Sequence, residues 1–225
     1  TQAEFEKYFA AHIEAAVEHL GSSSERLLSE IKRWYDGYRF HADAESVYNP
    51  VSLAMFFNKR YEFNNYWFST ATPTFLMELV QKTNFDFASV LANPVSAVAF
   101  DSFEIDGLDP LPLLLQTGYL TIKSSERRFN TTWYRLDFPN QEASASFNTW
   151  LLNAYAGKTR SEVSNFCQQL AVAMTDSDIE LLRKALESFF AGIPYDLHHK
   201  SESNFQNIFY VLFRLLGYYI SAESR

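Results

Sequence analysis

The seven residues Trp34-Tyr35-Asp36-Gly37-Tyr38-Arg39-Phe40, WYDGYRF, decide how the rest of the chain is read. Four aromatic rings and one guanidinium surround an Asp-Gly step. That step offers the left-handed backbone position a tight turn requires. The rings then pin the turn into a core. The rival reading makes the stretch a site, with Arg39 presenting its cation to a nucleotide phosphate. Against that, Arg39 can stack on Tyr or Trp, or pair with Asp36 or Glu45. The turn is the better reading.

Upstream of the turn, Phe5, Tyr8, Phe9, Ile13, Ala16, Val17 and Leu20 fall on one helical face, predicting a helix over 1–19. Thr1 with Glu4 makes a capping-box pattern at its start. After GSSSE at 21–25, Leu27, Leu28, Ile31 and Trp34 stripe a second helix. Downstream, Tyr38 and Phe40 alternate with Arg39 as in a short strand, and HADAE is a polar loop. Asn49-Pro50 then caps and opens a helix, VSLAMFFN. A polar Ser-Thr step and Pro73 repeat the device, with Phe75, Leu76, Leu79 and Val80 as the buried face.

Between 95 and 139 the period changes. SAVAF reads as a short strand, and DPLPLLLQTG as a buried helix ended by Gly118. YLTIK and TWYRLDF read as strands joined by the polar turn SSERRFNT. A helix followed by a two-strand ribbon is the outline of a winged-helix module. Pro139-Asn140 closes it, and a helix, QEASASFNTWLLNAYAG, follows. The tail is helical. Phe166, Leu170, Val172 and Ala173 form one face, TDSD is a capped break, and IELLRKALESFFAGIPY continues. Ser201 or Ser203 caps NFQNIFYVLFRLLG, and YYISAESR opens a strand. The expected fold is mostly α with a small β-ribbon.

Bulk properties exclude several classes. At roughly 100–200 residues per domain, 225 residues make one large or two small domains. Few Gly and Pro, seven of each, argue against a disordered chain. A net charge of -8 rules out a chain-wide basic footprint for nucleic acid, and Glu126-Arg127-Arg128 is too short to make one. Cys167 stands alone, so no disulfide closes within the chain, and its apolar setting reads as a structural thiol. No apolar run reaches the ~20 residues of a membrane span, and no signal peptide opens the chain. The chain starts on Thr1, mid-pattern, and reads as a piece of a longer cytoplasmic protein.

Familiar catalytic motifs are missing: GxxxxGK[ST], GxGxxG, HExxH, GxSxG and any Cys/His cluster with zinc spacing. His198-His199 lacks a third ligand near in sequence, and His12 and His19 read as surface residues. The aromatics Trp34, Tyr48, Phe56, Trp67, Phe68 and Phe75 fall on apolar faces of short helices. Large rings there serve a core better than a platform for stacked bases.

Taken in order, WYDGYRF, VYNPVSL, NNYWFSTATPTFL, LLLQTGYLTIK, YRLDFPNQE, FFAGIPY and SESNFQNIFYVLFRLLGYYISAES carry a resemblance. The chain resembles the AAA-ATPase-like family, abundant in Bacteroidetes, whose members carry a C-terminal nuclease-like domain of the PD-(D/E)XK superfamily. Ala71 departs from the Gly usual in that family. The resemblance implies that residues 1–160 are the helical lid and winged-helix-like region. Residues 161–225 would be a helical linker and the truncated start of the nuclease-like domain, with the phosphate-binding elements upstream. In that superfamily an Asp and a Glu-x-Lys hold a divalent metal against the scissile phosphate. Here Glu202 and Glu223 match the acidic positions that precede that set, while the set itself is missing. Glu202 at a helix N-terminus also simply favours the helix dipole. On this reading the chain is a non-catalytic regulatory or coupling segment and binds no cofactor or metal itself. ATP and Mg are expected of the parent protein, whose ATPase and nuclease-like domains would be the partners. Two alternatives stay open. One is a DNA-binding winged helix whose basic spot is Arg127 and Arg128. The other is a protein–protein adaptor, which would expose Trp34, Tyr48 and Trp67 together.

Overall fold

A computed structural model describes residues 1–67, 74–83, 85–100, 108–193 and 202–216, the side chains of 154, 155, 160 and 202–205 excepted. Among the described residues the chain is mostly helical. Helices α1 (Gln2–Tyr8), α2 (Ala10–Leu20), α3 (Ser24–Tyr35), α4 (Pro50–Asn58), α5 (Thr74–Lys82) and α6 (Phe87–Ala92) come first. Strand β1 (Val95–Ser96) and a 3-10 turn (Ala97–Phe100) lead to α7 (Pro110–Gln116), β2 (Thr121–Arg128) and β3 (Thr131–Asp137). Helices α8 (Gln141–Ala156), α9 (Arg160–Thr175), α10 (Ile179–Ala191) and α11 (Glu202–Leu215) complete the order. No helix among the described residues is long and apolar enough to cross a membrane.

The chain forms two compact units with interleaved segments. The first takes Thr1–Pro73 and Pro94–Ser146, the second Thr74–Asn93 and Phe147–Arg225. The division at Ser146/Phe147 falls inside α8, which supplies residues to both.

In the first unit the expected helix over 1–19 is two. The break is at Phe9 (φ −107, ψ 13), whose ring stacks on Phe57 at 5.3 Å. The Thr1–Glu4 capping box forms as read. Asn49 accepts from the amides of Val51 and Ser52 at the start of α4, with Pro50 in the first turn. The core is aromatic: Phe5, Tyr35, Tyr48, Phe56 and Tyr66 are buried with Leu27, Ile31 and Leu53. Phe56 meets Phe63 at 4.7 Å between centroids, and Phe5 meets Tyr48 at 4.9 Å. Helices of seven to twelve residues offer little aliphatic area each, and large rings supply the contact instead.

The sheet is antiparallel, ordered β1-β3-β2. SAVAF, expected as a strand, is mostly the 3-10 segment: only Ser96 belongs to the two-residue β1, because its hydroxyl accepts from the Val98 amide and turns the chain. The expected turn SSERRFNT is mostly strand. Pairing runs out to Arg128↔Thr131, and Phe129-Asn130 alone makes the turn, with φ 50 and 63. The outer half of β2 is solvent-exposed on both faces, so no apolar alternation marked it as strand.

In the second unit α9 and α10 lie side by side, with Phe166 stacked on Phe189 at 4.1 Å. Helix α11 packs on α6, where Asn207 Oδ1 accepts from the Ala88 amide at 3.1 Å. Phe147 of α8 meets Phe87 at 5.2 Å. Two face readings need correction. Phe75 is 62% exposed while Leu76, Met77 and Val80 are buried, so the α5 stripe is rotated by one position. Val172 is also exposed, since the α9 stripe runs through Val163, Phe166, Leu170 and Ala173 at helical spacing. Phe68, Ala71, Pro73, His198, His199, Ser201, Glu223 and the strand expected over 218–225 lie outside the described residues.

Candidate functional site

Helix α3 ends at Asp36, and Gly37 turns the chain with φ +104. The turn is glycine for two reasons. A Cβ would be strained at that φ, and it would sit 2.1 Å from the Pro139 carbonyl oxygen. Tyr38 then exchanges backbone hydrogen bonds with Val47 at 3.2 and 3.0 Å, which closes the polar loop. Gly118, at φ +79 just past α7, lets the Tyr38 ring lie against its backbone.

Arg39 fastens the turn to the ribbon. Its amide donates to Thr121 Oγ1 at 2.7 Å, and its carbonyl accepts from the Ile122 amide at 3.1 Å. The Thr121 hydroxyl lies 3.0 Å from the Gly37 carbonyl oxygen and 2.8 Å from that of Arg39. The Arg39 guanidinium donates to the Lys123 carbonyl at 3.3 Å, and the Lys123 ammonium to the Pro139 carbonyl at 3.1 Å. Among the described residues, neither ring stacking nor pairing with Asp36 or Glu45, the partners expected of Arg39, is found; its guanidinium goes to the Lys123 carbonyl instead. One backbone hydrogen bond and the Thr121 hydroxyl thus hold the turn against the start of β2.

Two helix starts meet this turn. Asn140 Oδ1 accepts from the Ala143 amide at 3.0 Å and caps α8, as Asn49 caps α4. The Tyr38 hydroxyl lies beside both asparagines. That oxygen, Asn140 Nδ2 and Asp36 Oδ1 are buried without a hydrogen bond of good geometry among the described residues. The other Asp36 oxygen accepts from Ser46 Oγ at 3.1 Å.

At the centre is Glu142, 0% exposed in the first turn of α8. Its oxygens lie 2.9 and 2.7 Å from the Ser52 hydroxyl of α4. One of them accepts from the Trp67 amide at 2.9 Å, and the Tyr66 amide also donates to the carboxylate. None of the ion pairs among the described residues includes Glu142. Burial pushes its pKa up; the Trp67 amide, the Ser52 hydroxyl and the Tyr66 amide offset part of this. Burial likewise pushes Tyr38 up to about 12, and it raises Tyr35 and Tyr66, each of which also senses the Glu142 charge. Chemically this is a knot. One carboxylate, held by two amides and a hydroxyl, ties α4, α8 and the 66–67 turn together, out of reach of solvent.

The other sequence candidates are not gathered here. Arg127 and Arg128 are exposed on β2, and Arg128 pairs with Glu126 at 2.7 Å. Glu202 begins α11, its side chain undescribed. Cys167 is half-buried and its thiol is pushed up by burial, as befits a structural residue. His12 lies on Phe57 at 5.5 Å and His19 on Tyr61 at 5.2 Å, both at the surface. Tyr48 is buried and Trp34 and Trp67 are half-buried, so the three are not exposed together; Tyr48 and Trp67 lie outside helices, not on helix faces as expected. Among the described residues no group of three or more His, Cys, Asp or Glu side chains could hold a metal. Glu142, Ser52 and Thr121 escaped the sequence reading. The one local signal was Asn140 two positions before an acidic residue at a helix start.

No protein-family model matches the chain. No solved structure matches it. It is 36% identical over 200 residues to an uncharacterized protein in the vnfD 5′ region of Azotobacter chroococcum mcd 1, a match covering 86% of this chain. The matched part is 38% of that relative's length.

Proposed function

We propose that the chain is a non-catalytic coupling segment of a larger ATP-binding protein of the AAA-ATPase-like kind, joined to a nuclease-like module. The observation that supports this most is the Glu142 knot. It holds the start of α8 in the first unit, and the same helix continues into the second. A helix clamped at one end and shared by two units suits the transmission of a displacement. The WYDGYRF turn fits the same role, since Gly37, Arg39 and Thr121 lock it to the ribbon and to Pro139.

ATP and Mg belong to this reading only through the longer protein. The Arg39 guanidinium donates to a backbone carbonyl, and no group of three or more His, Cys, Asp or Glu that could hold a metal is assembled among the described residues, so neither group is assigned to them. Amide hydrogen exchange on the intact longer protein, with and without ATP and Mg, tests the reading. Coupling requires altered exchange in 64–67 and in α8 on adding nucleotide. Unchanged exchange in both, or phosphate release above a buffer blank by this chain alone, would overturn it.

A further inference from the structure

The β2–β3 ribbon ends on a residue that its backbone disfavours. Phe129 and Asn130 have φ 50 and 63, the left-handed pair of a type I′ turn, where Asn and Gly are the usual occupants. A bulky side chain at such a φ is strained. Phe129 is also 95% exposed, so no packing offsets the strain. Residues held in sparsely populated backbone regions cluster at functional sites, and here the strained residue presents a whole aromatic ring to solvent.

The charges around it have one sign in excess. The ribbon carries Lys123, Arg127, Arg128 and Arg135 against Glu126 and Asp137. Arg128 pairs with Glu126 at 2.7 Å, an exposed pair that a stronger anion displaces at little cost. Arg127 stands opposite Thr132 on the other face of the ribbon. Phe129 is seven residues beyond Ile122, the last buried position of β2, or about 23 Å along the strand. Screening at physiological salt acts over about 8 Å. The cations near the tip, rather than the chain's net charge of -8, therefore set the field there.

We propose that this tip is a contact for single-stranded nucleic acid, an unpaired base stacking on Phe129 while Arg127 and Arg128 take the flanking phosphates. Single strands are favoured over duplex because stacking needs an open base face. The ribbon is favoured over α7, which carries no cation and buries Pro110, Leu111, Pro112 and Leu114. The proposal is independent of the coupling role.

The test is fluorescence anisotropy with a labelled oligothymidylate of about 16 nucleotides and with its duplex, at about 50 and about 200 mM salt. The whole chain is compared with Phe129→Ala and Arg127→Ala, both at exposed positions, with far-UV circular dichroism as the check on folding. Phe129→Ala should weaken single-strand binding by about ten-fold or more. Arg127→Ala should lower the slope of log affinity against log salt by about 0.7. Absence of binding by the unaltered chain, equal affinity of Phe129→Ala, or preference for duplex would overturn the proposal. So would loss of a cross-linked protein partner by the variants with oligonucleotide binding unchanged.

Discussion

At the residue scale, Gly37 and Glu142 carry the first unit's turn and knot. Replacing Gly37 by Val places branched carbons against the Pro139 carbonyl at a φ of +104. The backbone must yield, at a cost of about 3 kcal/mol or more. The expected result is a lower midpoint in urea denaturation, with an unfolding slope unchanged if only the folded state is affected. Glu142 acts through its charge. Its folded pKa is raised, so between the ordinary carboxylate range and that raised value the folded chain holds a proton the unfolded chain has lost. Stability from this group is therefore greatest below the ordinary range and falls as pH rises through the folded value. Glu142→Gln should remove that component, so the difference between variant and unaltered midpoints should vary with pH in that window. A constant difference would show that the carboxylate does not titrate in place.

At the scale of elements, local signals and pairwise partners were legible to different degrees. Thr1–Glu4, Asn49-Pro50 and Asp36-Gly37 declared caps and a turn because their chemistry acts within a few residues. The docking of Gly37 on Pro139, or of Ser52 on Glu142, depends on residues far apart in sequence and left no periodic trace. Phe75 and Val172 misled because hydrophobicity alone does not set a helix face when a neighbouring position is equally apolar. The hairpin gives the prediction at this scale. Phe129→Asn places a residue that tolerates the left-handed region at φ 50. It should stabilise the ribbon by about 1 kcal/mol. Thermal unfolding followed by circular dichroism should then shift upward by about 2–4 °C, and the same variant should bind single strands less well.

At the scale of the molecule, the mostly helical class with a small sheet was readable from period and punctuation. The interleaving of segments was not. Nothing local to 74–93 announces that α5 and α6 associate with residues past 147 rather than with their neighbours. A chain shortened to end at Ser146 therefore keeps α5 and α6 but loses Phe147 and Asn207, which meet Phe87 and Ala88. It should bind a hydrophobic dye such as ANS more strongly than the whole chain, and deletion of 74–93 from the shortened chain should reverse this.

The same arrangement imposes a timetable on biosynthesis. Helix α6 leaves the ribosome long before α11, its packing partner, since Ala92 is synthesised 110 residues ahead of Glu202. At about 5–20 residues per second that gap lasts about 5–20 seconds. Throughout it the nascent chain displays Ala88 without Asn207, and for about the first half of it Phe87 without Phe147, long enough for a chaperone to recognise them.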